Sequence, residues 1–267
     1  MLDALRLYTR YVGVSLRAQM QYPASFVMLA TGQFLVTAIE FLGIWALFTR
    51  FGSLCEWTLP EVALFYGMVH VAFALSEAVA RGFDVFPGMV RNGEFDRVLL
   101  RPRTTALQIG AQHLHVTRIG RLSQGLAILL YGAWALGVPW SLAKAGLLVA
   151  SVLGGACLFS GIFVLQATAA FWTIESLEIV NCLTYGGVEA AQYPVTIFRP
   201  WFRRLFTFLV PLATINYFPA HAIIGRPEPL GSPVLFQWLA PVVGVAFLAA
   251  TLQIWRVGVR HYRSTGN

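Results

Sequence analysis

The feature that most constrains the fold is an apolar run at residues 24–48, in which Glu40 is the only charged side chain. A helix of that length exceeds the roughly 30 Å of hydrocarbon in a lipid bilayer. The whole chain is 57% hydrophobic and only 12% charged, and average soluble domains carry about twice that charged fraction. The sequence therefore predicts an all-α integral membrane protein.

Five further apolar segments bring the predicted number of transmembrane helices to six. The segment at 174–191 is the weakest of them, because Glu175, Glu178 and Glu189 interrupt it. The other four lie at about 62–80, 122–140, 142–171 and 233–254.

Two other segments are rich in apolar residues without being predicted to cross the bilayer. Residues 1–21 carry arginines among apolar residues and lack the uninterrupted core of a signal peptide, so we expect a helix in the membrane interface. Residues 193–225 are broken by four prolines into pieces too short to cross the bilayer. Broken helices at membrane depth are tolerated inside protein, which predicts a re-entrant helical pair before the last span.

Between the apolar halves lies a polar stretch, residues 81–121, that carries seven arginines and is expected to be a loop between two spans. In its middle, Asn-Gly predicts a turn, residues 94–101 a short helix, and Pro102 its end. Phe95, Val98 and Leu99 fall on one face of this helix. Because so short a helix is unstable alone, we expect that apolar face to dock on another surface.

The distribution of basic residues predicts the orientation of the chain. With both termini in the cytoplasm, the inner side carries thirteen basic residues and the outer side six. The positive-inside rule favours this arrangement, and it agrees with an even number of spans. The predicted location is a bacterial inner membrane, with residues 94–101 on the cytoplasmic side.

Several function classes are disfavoured by the sequence. The net charge of +7 does not indicate a nucleic-acid partner, because the arginines flank apolar runs and form no continuous basic face. The only lysine, Lys144, does not lie in a phosphate-binding loop, so ATP hydrolysis would need another chain. No catalytic motif or metal site is predicted, since His113 and His115 have no third ligand nearby.

Isolated polar residues in the apolar segments are candidate pathway or lipid contacts. A carboxylate such as Glu40 is costly inside a membrane; it would line a pathway, pair with Arg199 or Arg203, or approach the outer interface. Arg199, Arg203 and Arg204 would attract an anionic group or lipid headgroup, or simply extend to the interface.

A second pair of polar residues lies in the predicted second span. His70 and Glu77 are seven residues apart and share one helix face, a geometry that a proton relay would use. Glu77 lies near the predicted cytoplasmic end of the span, and we expect it to be hydrated. A proton-coupled secondary transporter using Glu40, His70 or Glu77 is the alternative function.

The short-helix segment also carries a family resemblance. Its residues are Gly93-Glu94-Phe95-Asp96-Arg97-Val98-Leu99-Leu100-Arg101-Pro102. They resemble a signature that follows the second span in permease subunits of ABC-2 type exporters, in the branch encoded beside an ATPase and a second permease.

The resemblance implies a fold, a function and partners. It implies one transmembrane domain over residues 1–267, with residues 94–101 as the coupling helix that contacts an ATPase subunit. The partners would be an ATPase dimer that binds ATP and Mg, a second permease subunit, more readily a sister chain than a copy, and membrane lipids. This chain itself would hold no cofactor and would export an amphipathic substrate.

Overall fold

The computed structural model of the protein describes residues 13–14, 17–112, 116–173 and 177–264, without the side chains of residues 116 and 177–183. This part of the chain is helical and contains no strand, which confirms the all-α prediction. The helices are α1 Pro23–Phe51, α2 Leu59–Arg91, α3 Phe95–Leu99, α4 Thr105–Gln112, α5 Ile119–Ala135, α6 Leu142–Ala169, α7 Leu177–Ala191, α8 Pro200–Arg204, α9 Tyr217–Ile224, α10 Val234–Leu239 and α11 Pro241–His261.

Helix α2 is the central element, and most of its side chains are buried. It begins where the Glu61 carboxylate accepts hydrogen bonds from the Thr58 backbone N–H (2.7 Å) and hydroxyl (2.8 Å), a helix-starting arrangement. It ends before Gly93, whose φ of 71° suits glycine. The predicted second span ended near residue 80, and the helix continues to Arg91 because Phe86 and its apolar neighbours remain buried there.

The longer helices alternate in direction along the chain. Helix α5 packs antiparallel to α2, since an added Cβ at Gly132 would meet Leu64 and one at Gly125 would meet His70. Helix α6 runs parallel to α2, with the Ser76 and Ser160 hydroxyls 3.0 Å apart. One end of the bundle therefore carries residues 92–112 and 116–118 and the last turn of α11, and we call it the basic end. The opposite end carries residues 52–58, 136–141 and 225–233.

Four helices of the described chain are long and apolar enough to cross a membrane, namely α1, α2, α6 and α11. A fifth candidate is the pair Pro200–Leu209 and Leu212–Ile224, which bends by 71° within the predicted re-entrant segment. Helices α5 and α7 have 17 and 15 residues, about 25 and 22 Å, less than the hydrocarbon thickness. A count of six spans therefore remains a prediction.

Some predictions fall largely or wholly outside the described residues. The interfacial helix at 1–21 is among them, as are His113, His115, Glu175 and the side chain of Glu178.

Helices α6 and α11 approach each other at Gly154 and Gly244, where a Cβ on either residue would overlap the backbone of the other helix. We expect Gly244→Ala to force the helices apart and cost about 1–3 kcal/mol, as overpacking usually does. Gly146→Ala is the matched control on α6, because the space around that position is open. Thermal unfolding in detergent should show a loss for Gly244→Ala and none for Gly146→Ala; equal effects would contradict this account of the contact.

Candidate functional site

The short helix α3 at the basic end is held by its own chain. Phe95 is fully buried, and its ring meets those of Phe86 and Tyr262 edge-on, with centroids 5.0 and 4.9 Å away. Trp255 of α11 and Phe171 complete this aromatic cluster. Helix α3 is therefore packed onto the ends of α2 and α11.

This packing corrects the predicted docking face. Phe95 and Val98 were expected, with Leu99, to face another surface, and both are buried inside the chain. Helix α2 reaches Arg91 and the end of α11 lies against α3, so the chain itself supplies the apolar partner. Of the three residues of the predicted face, only Leu99 is left exposed.

The exposed apolar part of this segment is formed by Leu99 and Leu100, and Leu100 has 85% of its surface accessible. Leu100 follows the last helical residue. The charged residues of the same segment are exposed as well, apart from the half-buried Asp96. We call this region the Leu100 surface; its residues are Arg91, Glu94, Arg97, Leu99, Leu100, Arg101 and Arg103.

Hydrogen bonds fix the position of the Leu100 surface. Gln108 Nε2 donates to the carbonyl oxygens of Val98 (3.3 Å) and Arg103 (3.1 Å). The indole N–H of Trp255 donates to Thr105 Oγ1 at 3.0 Å. These bonds hold the segment against α4 and hold α4 against α11.

The end of the chain also contacts α3. The Ser264 hydroxyl donates to Asp96 Oδ2 at 2.6 Å. Burial, together with the nearby Asp96 carboxylate, raises the pKa of the Tyr262 hydroxyl above its ordinary value. Tyr262 is therefore a neutral side chain at physiological pH, as its place beside Phe95 requires.

A buried ionic cluster connects α2 to the start of α5. Glu77 is 1% exposed, and guanidinium nitrogens of Arg81, Arg118 and Arg121 each lie 3.3 Å from its carboxylate. Arg81 also pairs with Asp84 at 3.1 Å. We call these five residues the Glu77 cluster. The prediction that Glu77 is hydrated was wrong, because arginines from the start of α5 cover it.

The Glu77 cluster joins helices that are distant in sequence. Arg118 Nη1 donates to Gln33 Oε1 of α1 at 2.7 Å. Arg81 Nη1 donates to the Tyr185 hydroxyl of α7 at 2.6 Å, and Gln166 Nε2 of α6 donates to Asp84 at 3.2 Å. Of the contacts in the cluster, Glu77–Arg81 and Arg81–Asp84 have helical spacings of four and three residues that are visible in the sequence, and the others depend on tertiary structure.

Glu40 is half-buried near the middle of α1. It lies on the same face as the buried residues Thr37, Phe41 and Ile44. Its charged neighbours are Glu189 and Arg121, so the arginine that the structure brings toward it is Arg121 and not one of the predicted partners. The carboxylate therefore faces the bundle.

His70 is buried on α2, two helical turns before Glu77. Its ring stacks on Tyr66 with centroids 3.9 Å apart, and Nε2 lies 3.4 Å from Gln192 Oε1. Arg121 acts electrostatically on His70 as well as pairing with Glu77. The same arginine therefore interacts with both residues of the predicted pair.

The three predicted arginines of the re-entrant segment lie in different surroundings. Arg203 and Arg204 line a cavity of about 630 Å³ near the opposite end of the bundle. Arg199 precedes α8 and is exposed.

Comparison with known proteins identifies one family. A family model described as an ABC-2 family transporter protein matches residues 34–266. No curated protein and no solved structure matches the chain. The match includes the whole of the Leu100 surface and the Glu77 cluster.

Proposed function

The chain belongs to the ABC-2 family of transporter membrane proteins, and on that premise we propose that it is the permease subunit of an ATP-driven exporter. Permeases of this family generally work with an ATPase subunit. The proposed assembly contains an ATPase dimer, which holds ATP and Mg, and a second permease, in a bacterial inner membrane. The cargo is proposed to be amphipathic, and the termini and the Leu100 surface to be cytoplasmic.

The observation that carries this proposal is the Leu100 surface. An almost fully exposed leucine in a segment with several exposed arginines resembles the apolar centre and polar rim of a protein interface. The surrounding arginines favour a groove with acidic edges. Leu100, with Leu99 beside it, is therefore the proposed contact with the ATPase, and residues 94–101 are the proposed coupling segment.

The proposed mechanism follows from how α3 is attached. A displacement of Leu100 would be transmitted by Phe95 to the ends of α2 and α11, because the Phe95 ring is fully buried in contact with both. The loop that carries α3 leaves the bundle at Arg91 and returns at Arg118, which pairs with Glu77. Closure of the ATPase dimer would thus shift α2 and α5 together, because the ion pairs of the Glu77 cluster connect the two helices.

The direct test of this proposal is the variant Leu100→Ala. Loss of one buried leucine from an interface costs about 1.5–3 kcal/mol, so we expect the affinity for the ATPase to fall roughly 10- to 100-fold. The measurement is co-purification in mild detergent, followed by titration of the permease with the ATPase that accompanies it. The wild-type chain is expected to bring down a protein that contains a phosphate-binding loop.

The matched control is Leu142→Ala, because Leu142 is 91% exposed and lies at the opposite end of the bundle. It should bind the ATPase as the wild type does. If no ATPase accompanies the wild-type chain, or if both leucine variants bind equally well, the proposed coupling role is wrong.

A further inference from the structure

The cavity beside the re-entrant segment combines a cationic wall with an apolar wall. It is formed between Pro200–Leu209 and the segment that leads into α11, and its volume is about 630 Å³. Arg203, Arg204 and Thr207 lie on the cationic side, and Phe208, Phe218 and Phe236 on the apolar side. We propose that this cavity binds a membrane phospholipid with an acidic headgroup.

The charge of the cavity supports an anionic headgroup. Within the described chain, neither Arg203 nor Arg204 lies within ion-pair distance of a carboxylate. Arginine binds phosphate oxygens through two parallel N–H donors, which makes it suited to phosphate groups. The two guanidinium groups that line the cavity therefore offer the donors that one phosphate requires.

Glu228, which is hydrogen-bonded to the cavity residues Leu230 and Ser232, is already engaged. It accepts hydrogen bonds from the backbone N–H groups of Leu230 and Ser232, each at 2.7 Å, and from the Tyr217 hydroxyl at 3.1 Å. Burial alone would raise the pKa of Glu228, but these donors outweigh it and hold the pKa below its ordinary value. Glu228 is thus an ionised group whose oxygens are occupied by other partners, and the two arginines exceed it in charge.

The apolar wall supports a ligand with acyl chains. Phe208 is largely exposed and Phe218 is buried at the base of the cavity. Residues 205–209 form a π-helical turn directly after the two arginines, a geometry that recurs at functional sites. The cavity volume is in the range of sites for small amphiphiles. The cavity therefore offers a cationic wall for the headgroup and an apolar wall for the acyl chains.

The experiment uses the full-length permease in detergent, without an ATPase. Phosphatidic acid, phosphatidylcholine with the same chains, and inorganic phosphate are titrated separately, and binding is followed by native mass spectrometry. We expect phosphatidic acid to bind at least about 10-fold more tightly than phosphatidylcholine, and Arg203→Gln with Arg204→Gln to remove that preference. The single variant Arg204→Gln, at an exposed position, should lose it in part.

Arg199→Gln is the matched control, because Arg199 is a nearby exposed arginine outside the cavity. It should retain the preference. An unchanged preference in the arginine variants, an equal loss in the control, or inorganic phosphate that competes as tightly as the lipid would each overturn the proposal. The Leu100→Ala variant should bind phosphatidic acid as the wild type does. The lipid-binding proposal can therefore fail independently of the proposed contact with the ATPase.

Discussion

Glu77→Gln is expected to lower the thermal unfolding temperature of the detergent-solubilised protein by roughly 6–12 °C. The substitution keeps the shape of the side chain and removes its charge, which leaves Arg118 and Arg121 without the carboxylate that faces both. Removing one partner of a buried ion pair costs about 3–5 kcal/mol, because it leaves the other charge uncompensated. We take the lower end, about 3 kcal/mol, because these arginines are 12–20% exposed and long side chains can reach water or headgroups.

Two further variants test the physical reason for this loss. Glu56→Gln also removes a carboxylate paired with an arginine, but Glu56 is 89% exposed, so the expected change is within about 0.5 kcal/mol. Adding Arg121→Gln to Glu77→Gln removes one unpaired charge and should recover part of the stability. If Glu77→Gln is as harmless as Glu56→Gln, the cluster does not hold the helices together.

Phe95→Ala is expected to destabilise the protein by about 3–5 kcal/mol, the usual cost of emptying a buried aromatic site. The cavity would lie between α2, α3 and α11, among rings that cannot easily close over it. Thermal unfolding, followed by size-exclusion chromatography of the heated protein, measures the loss. A loss of this size would support the position of Phe95 inside the chain, and not on a surface that faces the ATPase.

Leu100→Ala is the comparison for Phe95→Ala. Leu100 is exposed, so its removal should change the stability of the isolated permease by less than about 0.5 kcal/mol while it weakens ATPase binding. The two variants should thus separate stability from coupling. A Phe95→Ala protein that is as stable as wild type but fails to bind the ATPase would show that Phe95 faces the partner, as the sequence alone suggested.

The local features around residues 92–102 were predictable because they depend on neighbouring residues. The Asn-Gly turn, the short helix and its end before Pro102 are present, although the helical residues are fewer, Phe95–Leu99. The all-helical class and the bend in 193–225 were predictable for the same reason, since apolar length and proline position act locally. The family assignment rested on this segment and agrees with the comparison.

What covers each side chain was decided by the tertiary structure. Amphipathic spacing shows that Phe95 must be buried, but it does not distinguish an ATPase from the end of α11, which lies some 160 residues further along the chain. The sequence around Glu77 likewise did not indicate its ion pairs with Arg118 and Arg121, which follow it by more than forty residues. Sequence periodicity specifies which faces are apolar or charged, whereas the pairing of those faces depends on long-range packing, which local pattern does not encode.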